Sequence, residues 1–168
     1  FLNKNLKNIL NLSSPFIEKA IYESCKIKKK IVEKDEKEIG LRKILNFGHT
    51  FAHAYEAGLG YNHKLNHGEA VILGMKTALS FSLKENMLSR SEYNLIINHI
   101  YNSGLPFSVK NYFSIKDLNK ILSFMIKDKK NNSGNINLVL LKKIGKPIFN
   151  KQYSKKKVSS FLEKFLID

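Results

Sequence analysis

Residues 41–75 read LRKILNFGHTFAHAYEAGLGYNHKLNHGEAVILGM, and the way this stretch divides decides the fold. Residues 41–57 carry the pattern of one amphipathic helix, with an apolar band of Leu41, Ile44, Leu45, Phe51, Ala52 and Tyr55 to seat it on a core. On the opposite side Arg42, Asn46, His49 and His53 follow one another at spacings of four, three and four residues. At about 100° per residue they fall within roughly 60°, a single polar stripe. A water-facing stripe ordinarily holds Lys and Glu. A guanidinium, an amide and two imidazoles instead form the donor set wanted for a metal and an anionic or hydroxylated ligand. Gly58, Gly60 and Asn62 make residues 58–66 a loop, and a longer helix, apolar on most faces, runs from about 67 to 83. It reads as the central buried helix. Gly68 and Gly74 lower its propensity, and close packing against a neighbour is the expected reason to tolerate them.

Working outward, residues 1–12 show a short helical pattern, and Ser13, Ser14 and Pro15 predict a hydroxyl-capped helix over 15–34. Its apolar face is Ile17, Ala20, Ile21, Ile27 and Ile31, with Lys28 on the edge of the stripe, where a lysine either snorkels to water or holds an anion at the rim of a site. Residues 35–40 turn the chain. Beyond the buried helix, 91–103 is amphipathic and closes at Gly104 and Pro106, and Ser114 with Asp117 resembles a capping box opening a helix to about Lys127. Residues 136–141 and 147–149 are the strand material, a hairpin turning at Ile144 and Gly145, and 158–166 forms a last helix. The architecture is therefore mainly α, a multi-helical domain with a small β-hairpin.

With 168 residues and 43% hydrophobic content, the chain is expected to form one domain and not a disordered segment. A single cysteine, Cys25, excludes an internal disulfide. No run approaches the ~18 apolar residues of a membrane span. The chain opens on Phe1 with no signal-peptide pattern, so a longer parent polypeptide is expected. The formal charge of +15 is spread along the chain without interleaved aromatics, a pattern of solvated faces that does not call for nucleic acid.

Two His-x-x-x-His pairs occur, His49/His53 and His63/His67. Four residues apart on a helix suits a metal, yet neither pair has the zincin glutamate, and core or solvated histidines also account for such spacing. His63 sits in a loop beside Asn62 and Lys64 and reads as solvated. His67 stands before Gly68 and Glu69 at the start of the buried helix; Glu69 reads as a metal ligand, an acceptor behind one, or a helix-start carboxylate. Two histidines are too few for a tight site, and a third ligand, a carboxylate, is required. Cys25 reads as packing, and there is neither a Gly-rich nucleotide loop nor a Ser/His/Asp order.

The run at 41–75, extended backward through SCKIKKKIVEKDEKEIGLR and forward to DKKNNSGNINLVLLKKIGK, closely resembles the signature of the 3-dehydroquinate synthase family. The resemblance covers the family's C-terminal, mainly helical domain, so residues 1–168 are expected to be that single domain, with an NAD-binding domain upstream. It implies that His49 and His67 are histidine ligands of a catalytic Zn²⁺ (or Co²⁺), the third ligand being an upstream glutamate. It implies that Lys28, Arg42, Asn46, His53 and Lys129 contact substrate, with Lys130 competing for the register of Lys129. Among these, His53, Asn46 and Lys28 are implied to take part in catalysis. Asp35 and Glu38 are implied to be structural. Ala52 and Ile39 depart from the family pattern. The implied reaction is NAD- and metal-dependent loss of phosphate from 3-deoxy-D-arabino-heptulosonate 7-phosphate with ring closure to 3-dehydroquinate, in the shikimate pathway. The implied protein is a cytoplasmic homodimer acting on a small sugar phosphate, not on nucleic acid or a membrane. These 168 residues alone are then expected to be inactive. The rival readings are another sugar-phosphate cyclase, a metal-dependent alcohol dehydrogenase of the same superfamily, and a non-catalytic basic helical module.

Overall fold

Helices α3, His49–Gly58, and α4, His67–Lys84, form the centre of the fold in the computed structural model, which describes residues 1–62, 64–127 and 134–167. Phe51, Ala52, Ala54 and Tyr55 of α3 face Ala70, Leu73 and Ala78 of α4 in one core, all 1% exposed or less. Two glycines let the helices approach at backbone distance. A Cβ on Gly74 would overlap the Gly48 carbonyl oxygen and lie 2.8 Å from the Ala52 amide nitrogen; a Cβ on Gly48 would lie 2.8 Å from the Gly74 carbonyl carbon. Close packing thus accounts for Gly74, as expected. It does not account for Gly68, which has nothing within 4 Å.

The same contact divides the predicted helix over 41–57. Gly48 has φ +82°, a left-handed conformation that only glycine adopts without strain. Residues Leu41–Asn46 form a 3₁₀ turn, the chain breaks at Phe47 and Gly48, and α3 begins at His49.

Around this centre, α1 (Leu6–Leu10) and α2 (Phe16–Lys34) precede the 3₁₀ turn, and α5 (Arg90–Asn102), α6 (Leu118–Lys127) and α7 (Lys155–Ile167) follow α4. The predicted hydroxyl cap of α2 is absent: Pro15 is the N-cap, and the amides of Phe16 and Ile17 donate to the Ser13 carbonyl. Its predicted apolar face finds no core either. No residue of α2 is buried, and Ile21 and Ile27 are each 57% exposed, because the helix packs chiefly against α1 and the 3₁₀ turn. The capping boxes are regular: Ser114 with Asp117 before α6, as expected, and Asn66 with Glu69 before α4. Glu69 Oε2 accepts the Asn66 amide at 2.8 Å, which makes it a helix-start carboxylate.

The hairpin is as expected but longer, β1 (Asn135–Lys143) antiparallel to β2 (Lys146–Ser154), with Ile136 opposite Tyr153 and Leu140 opposite Ile148. Ile136, Leu138 and Leu140 turn into the core against α4 by the alternation of a half-buried strand. Ser82 ties the two: its hydroxyl donates to the Ala78 carbonyl and accepts the Leu141 amide at 3.0 Å. Among the described residues no helix is long and apolar enough to cross a membrane.

Candidate active site

A cleft of about 390 Å³ opens between the 3₁₀ turn, α3 and the hairpin. Its floor is Leu138, Val139 and Phe149; its polar groups are Glu38, Lys43, Asn46, His49, Thr50, His53, Asn137 and Asn150. Thr50 fastens α3 to β1 by donating to the Asn137 carbonyl at 3.1 Å, and Lys43 Nζ donates to Asn150 Oδ1 at 3.3 Å across the opening.

The 3₁₀ geometry of Leu41–Asn46 determines which residues face this cleft. At three residues per turn, positions three apart eclipse and positions four apart diverge by about 120°. Lys43 and Asn46 therefore share a face and line the cleft, whereas Arg42 leaves the predicted stripe. Arg42 instead closes the 35–40 turn: its amide donates to Asp35 Oδ2 at 2.9 Å, and its guanidinium Nη1 donates to the Glu36 carbonyl at 2.6 Å. Asp35 also accepts the amides of Ile39 and Gly40, at 2.9 and 2.8 Å. These bonds, that from Arg42 foremost, hold its carboxyl below the ordinary value of 3.8 against an opposing effect of desolvation. Asp35 is thus structural, as expected. Glu38 is more than that: it lines the cleft, and its Oε1 accepts Asn46 Nδ2 at 2.5 Å, fixing the amide.

Three histidines gather beside the cleft, of which His49 and His53 line it. Ring centroids lie 5.6 Å apart for His49 and His53, 6.1 Å for His49 and His67, and 6.4 Å for His53 and His67. His49 and His53 come from the first two turns of α3. His67 comes from the start of α4, brought near by the Gly48–Gly74 contact. His67 Nδ1 lies 3.0 Å from Oε1 of Glu56, one turn further along α3. Two imidazoles sharing a tetrahedral metal have centroids about 5 Å apart. The pairs here are slightly wider, and among the described residues no group of three or more His, Cys, Asp or Glu is arranged to hold a metal ion. The donor chemistry fits two imidazole positions of a metal site and leaves the remainder to groups from elsewhere.

Lys28 lies on the exposed α2 and does not line the cleft, and Lys129, Lys130 and His63 fall outside the described residues. Sequence reasoning passed over Lys43, Asn150 and Glu56. The signal for Glu56 was present, since it follows His49 by seven residues and His53 by three on the same helix, but its partner His67 is eleven residues away across a loop.

The profile of the family described as 3-dehydroquinate synthase C-terminal matches residues 1–131. A 3-dehydroquinate synthase of Pelagibacter ubique is 60% identical over 166 residues, covering 99% of this chain and 45% of that relative. One of Endomicrobium trichonymphae is 46% identical over 129 residues, covering 76% of this chain and 34% of that relative. The chain thus spans less than half the length of these relatives. In fold it is similar to a 2-deoxy-scyllo-inosose synthase solved with carbaglucose-6-phosphate, NAD⁺ and Co²⁺, with TM-score 0.73 and 23% identity over 90% of this chain and 42% of that one. It is also similar to a 2-epi-5-epi-valiolone synthase of Streptomyces hygroscopicus solved with NAD⁺ and Zn²⁺, with TM-score 0.63 and 20% identity over 81% of this chain and 36% of that one.

Proposed function

The chain belongs to the 3-dehydroquinate synthase family, matching its C-terminal domain, and from that premise we propose that it is the metal- and substrate-binding part of an enzyme converting 3-deoxy-D-arabino-heptulosonate 7-phosphate to 3-dehydroquinate and phosphate. The observation that carries the proposal is the convergence of His49, His53 and His67 within 6.4 Å beside a polar cleft, from positions that are eighteen residues apart at the extremes.

In this reading His49 and His67 hold a Zn²⁺ or Co²⁺ ion, a third ligand and NAD coming from an N-terminal domain. When bound, the metal supplies Lewis-acid polarisation of a substrate oxygen and NAD a transient oxidation. The chain's own residues do the rest. Asn46, its amide clamped by Glu38, orients a substrate hydroxyl. His53, on the cleft wall one turn from His49, passes protons to and from the reacting carbon and hydroxyl positions. Lys43 at the mouth offers a cation to a carboxylate or phosphate, and Lys28, Arg42 and Lys129 are the further anion contacts of this reading. A guanidinium donating to the Glu36 carbonyl keeps further N–H groups for such a contact. The proposal includes a homodimer in the cytoplasm, the family's usual state.

The test is phosphate release by the full-length protein from the heptulosonate phosphate, with and without chelator. Release is expected to depend on metal and NAD and to be lost in His49→Ala. NADH accumulation without phosphate would favour the dehydrogenase reading. Turnover of a different sugar phosphate alone would favour another cyclase.

A further inference from the structure

Glu56 is a half-buried carboxylate, its side chain 14% exposed, and among the described residues its only side-chain partner is the His67 ring. The His67 side chain is 62% exposed, so packing alone does not fix its orientation. The bond joins the last turn of α3 to the first residue of α4 at 3.0 Å.

A carboxylate can only accept, so Nδ1 of His67 is the donor. In a neutral imidazole that places the proton on Nδ1 and the lone pair on Nε2. Glu56 Oε1 occupies the Nδ1 position, and the in-plane direction of the Nε2 lone pair diverges from it, so the carboxylate stands behind the ring and not beside whatever Nε2 binds. His49 and His53 stand near the same ring, their centroids 6.1 and 6.4 Å from that of His67.

We infer that Glu56 is a positioning residue that fixes the His67 tautomer and ring direction, so that Nε2 is presented to a divalent metal shared with His49. The inference rests on the reading of His49 and His67 as ligands. The competing account makes the same contact a salt bridge between Glu56 and a protonated His67 that clasps α3 to α4 and does nothing for a metal.

Two readouts on the full-length protein separate them. In metal-free protein, long-range ¹⁵N–¹H spectra of the imidazoles, assigned with His67→Ala, report which ring nitrogen of His67 bears the proton. Separately, Co²⁺ titration followed in the visible region gives the metal affinity. The expected result is His67 protonated on Nδ1 alone in the wild type, with a mixture of tautomers in Glu56→Ala. The Co²⁺ dissociation constant is expected to rise roughly 10–100-fold in Glu56→Ala, the usual effect of removing a partner behind a ligating histidine. Glu56→Gln, whose amide oxygen still accepts from Nδ1, is expected to fall between the two. A Co²⁺ affinity within twofold of wild type in Glu56→Ala, with His49→Ala and His67→Ala both abolishing binding, overturns the inference and leaves the metal site standing. A doubly protonated His67 ring in the wild type at pH 7.5 also overturns it. Co²⁺ binding that is indifferent to His49→Ala and His67→Ala overturns the ligand reading itself, and this inference with it.

Discussion

Replacing Gly74 by alanine opposes two effects whose balance the structure decides. In a helix interior the substitution is ordinarily favourable by up to about 1 kcal/mol, because glycine loses more backbone freedom on folding. Here the new methyl would overlap the Gly48 carbonyl oxygen and sit 2.8 Å from the Ala52 amide nitrogen and 3.1 Å from the Ala52 Cβ. Two of those atoms are backbone, so no side-chain rotation relieves the overlap; α3 has to move away from α4. Overpacking of this kind costs about 1–3 kcal/mol, and the upper end applies where backbone is the obstacle. The net expectation is destabilisation by roughly 2 kcal/mol, which lowers the melting midpoint by about 4–8 °C in a chain of this size. Gly68, six residues earlier on the same helix, is the control. With nothing within 4 Å of its Cβ, Gly68→Ala is expected to raise the midpoint by about 2–4 °C. Thermal denaturation followed by far-UV circular dichroism measures both. Because His49 and His67 sit on the two helices that part, Gly74→Ala is also expected to weaken Co²⁺ binding while Gly68→Ala leaves it unchanged. A Gly74→Ala protein as stable as the wild type would refute the backbone contact between α3 and α4, and with it the account of how the histidines meet.

Three further substitutions bear on the same helices and on the turn before them. Tyr55 and Thr77 are both fully buried and joined at 2.9 Å; Thr77 donates to the Leu73 carbonyl, so the Tyr55 hydroxyl, its ionisation pushed up by burial, donates to Thr77. Thr77→Val orphans that hydroxyl and is expected to cost about 1–3 kcal/mol in urea denaturation, whereas Tyr55→Phe leaves Thr77 paired and should cost about 0.5–1.5 kcal/mol; equal costs would count against the assigned direction. Asp35→Asn removes the charge that holds three amides of the turn. Since the folded carboxyl titrates below its ordinary value of 3.8, its stabilisation is present above that value and disappears as pH falls toward the folded one. The wild-type advantage over Asp35→Asn in melting midpoint should therefore be full at pH 6 and shrink below about pH 4; a constant gap down to pH 2.5 would show that the bonds do not depend on charge.

Elements that bury a face by regular period were legible in the residues: α4, α5, α6, the hairpin and the last helix all follow from apolar spacing and caps. The spacing pairs His49 with His53 and His63 with His67; that His67 comes to His49 was carried by the family resemblance and not by the spacing. The failures lie where a partner decides. The apolar stripe of α2 has the period of a core-facing helix, yet Ile21 and Ile27 stay 57% exposed because periodicity states that a face is apolar and not what lies opposite. The break at Phe47 and Gly48 is the sharper case. Gly48 and Gly74 are 26 residues apart, and each taken alone is a tolerated helix glycine; neither their contact nor the φ of +82° at Gly48 is written in the spacing. The break there leaves a 3₁₀ turn followed by a new helix where one α stripe was predicted. It rotates Arg42 out toward the Glu36 carbonyl and Lys43 in toward the cleft, so the cation facing the histidines is the neighbour of the one the helical spacing selected.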